Sequence, residues 1–406
     1  MDDSLSLHLE VDSMKITSVD VILMDMHPAD NPGWAPVLCR VYTDAGIYGD
    51  GEAALAYGNA HRAAFGMIQD FARSILGMDP LENEVIWEKL YKSSFWGQNG
   101  GPVVFSGISA LDIALWDIKG KHFNVPVYTL LGGKMRDSLR CYASQLQFGW
   151  DDRKTPAITV EDYASNAMKA VREGYDAIKI DFFTFAEDGH RLKAEETTRI
   201  LTPKNYDMIK RRLSAVREAV GEGVDIIMEN HSYIDAQGAV QLGRLAEEYG
   251  VLYFEEPCTP TPKMNKFVAD RVSVPISQGE RIYTRWGYAP YFEDGSIQLI
   301  QPDIGNCGGI TETKKVCDLA HIYDVGVQAH VCASPLSTAA ALHLEAAIPN
   351  FTIHEQHVYC RYDYNRRLCI HDYQPENGRF SIPDLPGLGN ELSEYCFAHG
   401  EVVTVR

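Results

Sequence analysis

Long apolar runs are missing from this chain. Nowhere do about 18 consecutive apolar residues occur, so no stretch reads as a transmembrane helix. Basic charge is scarce: 37 Lys and Arg stand against 56 Asp and Glu, a net charge of −19. An acidic surface repels phosphate backbones, which leaves nucleic-acid binding without electrostatic support. Met1 to Ser13 has neither a basic stretch nor an apolar core and so does not read as a signal peptide. It reads as an extension or tag remnant, because the patterned sequence begins near Met14. The nine cysteines are odd in number and include no C-x-x-C pair. They sit inside strand-like and helix-like runs, as small buried hydrophobes in a reducing cytoplasm would. Repeats at the level of identity and low-complexity linkers are absent too. What is present, 45% apolar and 23% charged residues in 406, is ordinary for a soluble globular protein. The length accommodates two to three domains, or one large α/β unit with an addition.

Residues 15–25 and 37–43 are rich in β-branched residues, and a turn at Thr43–Gly46 leads to a third strand, Ile47 to Glu52. Helical patterns follow over 60–76, 82–92 and 105–123, the last with Ile108, Leu111, Leu115 and Ile118 on one stripe. This predicts an α+β domain over 14–136. From about Asp137 eight short apolar runs alternate with amphipathic helices, from Leu139–Ala143 to Phe351–Glu355. Such alternation implies parallel βαβ units, and eight strands are the number that closes a barrel. The barrel is expected over 137–380, with 381–406 returning as a last strand.

Polar residues close six consecutive runs: Glu229, Glu255, Glu280, Asp303, His330 and Glu355, spaced 26, 25, 23, 27 and 25 residues apart. Each interval is one strand plus one helix, so each residue lands at the same height, on the active-site face of a barrel. Any one of them is easily a solvated loop residue; six at a constant interval are hard to explain by packing. Carboxylates 4 Å apart repel by about 4 kcal/mol at an effective dielectric near 20. Glu229, Glu255 and Glu280 therefore need protons or a cation, and three oxygen donors suit Mg²⁺ better than zinc. Glu256 would face the other way. His231 follows Glu229 by two and shares its side, while His330 follows Asp303 by one βα unit. A carboxylate bonded to an imidazole fixes its tautomer, the arrangement of a general base. A cation facing such a base suits removal of a proton beside a carboxylate. Lys179, ending the second run, either adds positive charge there or simply caps its strand. His343, His357 and His371 lack such a pattern and read as core or surface.

The helix Ser109 to Lys121 with Pro126 to Gly133, Glu255-Glu256-Pro257, Gly279-Glu280, Gln301-Pro302-Asp303 and Gly308-Gly309 together resemble the enolase superfamily, mandelate racemase subgroup. The resemblance spans about residues 15–406. It implies a modified TIM barrel, (β/α)₇β, with an N-terminal α+β capping domain, one Mg²⁺ per subunit on Glu229, Glu255 and Glu280, and assembly as a homo-oligomer. Within the subgroup the chain is most similar to the acid-sugar dehydratases acting on aldonates such as galactonate or mannonate, which carry an acidic ligand, any residue, then His, as Glu229-Asn230-His231 does here. By that resemblance His330, oriented by Asp303, takes the C2 proton; His231 protonates the departing 3-hydroxyl; and Glu355 hydrogen-bonds the substrate carboxylate or enediolate. A 2-keto-3-deoxy acid results. The family usually has Asp where Glu229 stands, and Lys179-Ile180-Asp181 lacks the second lysine of the racemases. Asp181 is then expected to bind a substrate hydroxyl or Lys179. A racemase or epimerase using both histidines and a non-catalytic homologue remain the alternatives. Capping-domain contacts to substrate are expected from the loop Met26–Trp34, from Tyr57 and from Trp96 in the segment Ser93–Gly101, which is either a lid or a helix connection. The charged stretch Phe182–Asn205 is too long for an ordinary βα loop, hence a pocket wall or an interface.

Overall fold

The computed structural model describes residues 14–26, 28, 33–197 and 200–406. The expected extension 1–13 and positions 27 and 29–32 of the loop Met26–Trp34 lie outside the described residues. Strands β1 (Ile16–Leu23), β2 (Val37–Thr43) and β3 (Tyr48–Ala53) form an antiparallel sheet, and β13 (Glu401–Val405) pairs with the free side of β1. Helix Gly101–Phe123 lies across this sheet. It begins four residues earlier than its apolar stripe suggested, with Pro102 in its first turn, where a missing N–H does no harm. Gly49 and Gly51 of β3 set the approach. A Cβ on Gly51 would sit 1.8 Å from the Ala110 carbonyl oxygen, and one on Gly49 2.1 Å from that of Ala114. The helix is buried nearly all round, not on one stripe, because the sheet covers one side and the second domain the other. By length and composition it could cross a membrane, yet 72% of its most apolar window is buried in the protein, as a core helix should be.

Eight parallel strands follow: β4 (Ser138–Ser144), β5 (Ala177–Asp181), β6 (Asp225–Glu229), β7 (Tyr253–Glu255), β8 (Ile276–Gln278), β9 (Leu299–Ile300), β10 (Gly326–Val327) and β11 (His354–His357). Each pairs with the next, β11 returns to β4, and a single bridge, Val327 to Phe351, joins β10 to the chain entering β11. Helices connect successive strands, so the sheet curls into the (β/α)₇β barrel. Strand β12 (Arg379–Ser381) pairs antiparallel with β4.

The capping domain docks through buried polar groups. Ser109 Oγ accepts the N–H groups of Gly308 and Gly309, each at 2.9 Å, and Asp112 accepts those of Thr311 N and Oγ1 at 2.9 and 2.6 Å. Two of the sequence signatures thus meet each other. From β3, the Glu52 carboxylate accepts Ser334 N at 3.0 Å and the hydroxyls of Ser334 and Ser337. Burial pushes Glu52 and Asp112 up to about 7 against the pull of these hydrogen bonds. A carboxyl raised on folding contributes stability below its unfolded pKa and loses it as pH rises through the folded one. A shift of this size is worth roughly 3 kcal/mol. Thermal melts of Glu52→Gln across pH 4–8 should therefore fall less steeply with pH than those of the wild type; parallel curves would contradict the assignment.

Candidate active site

A cavity of about 470 Å³ opens at the C-terminal end of the barrel strands. Register sets its floor: Asp181, Glu229 and Glu255 are direct neighbours across β5, β6 and β7. Lys179 lies beneath, 1% exposed, its ammonium 2.6 Å from Glu255, 3.0 Å from Glu355 and 3.2 Å from Glu229. Read from the sequence as positive charge at the substrate or as a strand cap, this lysine instead balances three buried acids below the cavity lining. Burial opposes its charge, but the three carboxylates raise its pKa well above the ordinary value. Within the acid cluster the charge is uneven. Burial and Glu229 push Glu255 up, while His231 and Lys179 hold Glu229 down against its own burial.

The histidines stand on opposite sides of the ring. His231, after β6, bonds through Nδ1 to Asp181 at 2.7 Å, and His330, after β10, through Nδ1 to Asp303 at 2.7 Å. Nε2 of His330 lies 3.2 Å from Glu280. Burial disfavours the charged ring, yet Glu280 and Asp303 lift His330 to about 10; Glu229 and Asp181 likewise raise His231. Positive φ angles at His231, Ser232 and Glu256 collect here, as strained backbone often does at reactive sites.

Several expectations are corrected. Asp181 is not open to substrate or bonded to Lys179: its Oδ2 holds His231 and its Oδ1 accepts Phe183 N at 2.7 Å. Glu355 is buried and absent from the cavity lining, its Oε1 held by Ser144 Oγ at 2.6 Å and Lys179 and its Oε2 by Val331 N at 2.9 Å. Trp34 is buried against Tyr359, and Trp96 is 75% exposed with its ring against Phe95; neither lines the cavity. Tyr57 does line the cavity. His357 lines it too, where core or surface was expected. Burial drops its pKa to about 3, so it is a neutral ring. The long segment after β5 is a wall: its Thr184 and Arg191 face the cavity, and Arg191 donates to the Tyr233 hydroxyl at 3.3 Å. Gln145, Lys154 and Arg281 add to the polar lining.

Among the described residues no three His, Cys, Asp or Glu side chains are gathered as a ready ion cage. The reason is electrostatic: Lys179 draws Glu229 and Glu255 together, while Glu280 turns to Arg281, at 3.0 Å, and to His330. The donor set nevertheless fits a hard cation. Glu255 Oε2 is buried without a hydrogen-bond partner, and Glu229 Oε2 has only the Lys179 ammonium.

Fold and site define a member of the enolase superfamily, and comparison with known proteins shows it. The chain belongs to the mandelate racemase/muconate lactonizing enzyme family: the N-terminal domain model of that family matches residues 32–132, and the enolase C-terminal domain-like model residues 162–396. It is 34% identical to the D-xylonate dehydratase of Haloferax volcanii, over 93% of this chain and 87% of that one. With the D-galactonate dehydratase of Ralstonia nicotianae identity is 32%, over 89% and 90%. A crystal structure of an enolase-superfamily member from Salmonella Typhimurium superposes with a TM-score of 0.93 at 49% identity, covering 97% of this chain and all of the other.

Proposed function

We propose that the protein dehydrates an acid sugar, an aldonate such as galactonate or mannonate, to a 2-keto-3-deoxy acid. One observation carries this reading: two His–carboxylate dyads face each other across a single cavity above a cluster of acids. His330 Nε2 takes the C2 proton, and the C–H electron pair moves into the C1–C2 enediolate. That pair then forms the C2–C3 double bond as the C3–O bond breaks, and His231 gives its proton to the departing hydroxyl, which leaves as water. The enol so formed becomes the ketone. A divalent cation, one Mg²⁺ per subunit held by Glu229, Glu255 and Glu280, would supply positive charge to the substrate carboxylate. A cation engaging Glu280 would remove the strongest of the pulls that favour the charged His330 ring and so bring it toward the range of a base. The named dehydratases among the relatives support the same reaction class. A homo-oligomer in the cytoplasm completes the reading.

Incubation with a panel of aldonates and aldarates in the presence of Mg²⁺ should release a 2-keto acid. No product from any acid sugar would overturn the reading, and deuterium at C2 without keto acid would indicate epimerisation instead. Arg191, on the far wall, should bind the distal end of the sugar. Because a hydrogen bond to a charged group is worth about 1.5–3 kcal/mol, Arg191→Gln should raise KM roughly 10–100-fold while kcat stays within a few-fold. An unchanged KM would remove Arg191 from the site.

A further inference from the structure

The barrel is unevenly sewn. Backbone N–H groups on one side of the chain leaving β10 bond regularly to β9: Gly326 to Gln298, Gln328 to Ile300 and His330 to Pro302, at 3.0, 3.0 and 3.2 Å. On the other side Val327 N bonds to Asn350 O and Thr352 N to Val327 O, each at 2.8 Å, and there the ladder stops. Continuing the alternation, the N–H groups of Ala329 and Val331 should find the next carbonyls of the chain entering β11. They do not. Ala329 N donates to Glu345 Oε1 at 2.9 Å, and Val331 N to Glu355 Oε2 at 2.9 Å. Two side-chain carboxylates replace two rungs of the closing seam, one on each side of His330.

Glu345 belongs to helix Pro335–Ala347, outside the cavity, and is fully buried. Its other oxygen meets His354 Nδ1, also fully buried, at 2.5 Å. His354 is the first residue of β11, so one carboxylate ties the base-bearing chain to the strand across the gap. The Ala329 carbonyl is held as well, by the Gln328 side chain, whose oxygen accepts Gln301 Nε2 at 2.6 Å. The Ala329 N–H and C=O and the Val331 N–H are therefore held by side chains, and the His330 N–H by the Pro302 carbonyl just after β9. A seam of backbone rungs would fix the strand spacing alone. A carboxylate bridge also fixes the height at which the chain turns outward, and with it the reach of His330.

We propose that Glu345, through His354, is a positioning residue for His330: it substitutes for the missing seam and sets the base in line with the C2 proton. The inference rests on His330 acting as that base. Two variants test it. Glu345→Gln keeps an oxygen for Ala329 N, whereas Glu345→Leu removes it. In single-turnover experiments with enzyme in excess, the rate of C2–H cleavage per binding-competent site, counted by calorimetric titration, should fall at least 10-fold in Glu345→Leu with Kd within about 2-fold. Glu345→Gln should recover most of the loss. Without any substrate, amide exchange in the peptide covering 326–334 should accelerate at least 100-fold in Glu345→Leu and stay near wild type in Glu345→Gln. A per-site rate within 2-fold of wild type in Glu345→Leu, or unchanged exchange, overturns the proposal. Absence of turnover by the wild type with every acid sugar would count against the dehydratase reading, and the exchange measurement still judges the seam.

Discussion

His330→Asn should lower turnover by about 10²–10⁴, the usual worth of a positioned base, with substrate affinity within a few-fold and little change in melting temperature. The ring is 7% exposed and presents one nitrogen to the cavity, so its loss takes away a proton acceptor without opening a core void. Asparagine can still donate to Asp303, which spares that buried carboxylate a missing partner. A further consequence concerns pH. With Glu280 turned to the cation, Asp303 still favours the charged ring, so the wild type should lose activity on the acid side as His330 becomes protonated. The variant's residual rate should lack that limb. A variant retaining wild-type kcat, or an acid limb that survives the substitution, would show that His330 is not the base.

Lys179→Met should destabilise the protein by several kcal/mol and abolish turnover. The ammonium faces Glu229, Glu255 and Glu355, all at most 1% exposed, and breaking a buried ion pair by removing one partner costs about 3–5 kcal/mol. Methionine fills the stem's volume, so the loss reads charge and not packing. Denaturant melts in EDTA should show the full effect, and added Mg²⁺ should return part of it, because a divalent cation among the same acids restores the balance. A variant within about 1 kcal/mol of wild type in EDTA would mean the cluster carries less charge than its geometry implies.

Much of this architecture is legible along the chain. Each of the eight barrel strands overlaps one of the eight runs, because a strand buried on both faces tends to be written in apolar residues, although β11 (His354–His357) holds none and shares only its first two positions with its run. The constant interval of one strand plus one helix brings Glu229, Glu255, Glu280, Asp303 and His330 to one end. His357 was equally legible: it follows Glu355 by two, as His231 follows Glu229, and the same alternation places it on the cavity side. What stayed hidden depends on long-range partners. Nothing near Asp181 says that it serves His231, 50 positions on, and not Lys179 two positions back. Glu345 reads as an ordinary helix residue until its helix is docked beside Ala329. The five residues Lys89–Ser93 continue a helix as a π-turn, a local widening that no hydrophobic period marks. Trp96 attracted attention as a large aromatic beside glycines, yet exposure of a single aromatic side chain needs no ligand.

The pairing of β13 with β1 has a consequence for synthesis. Strands β1 to β3 emerge from the ribosome before the barrel, but the neighbour of β1 is translated about 380 residues later, after the whole barrel. Until then β1 presents an open edge of unpaired backbone groups, a template for other chains. The cap therefore waits as a three-stranded sheet with one bare flank while eight barrel strands are made and closed. A nascent chain stalled before residue 401 would hold a barrel with all its strands beside a cap still able to pair with a stranger. The five residues of β13 are a seal set in place only after the barrel has been made.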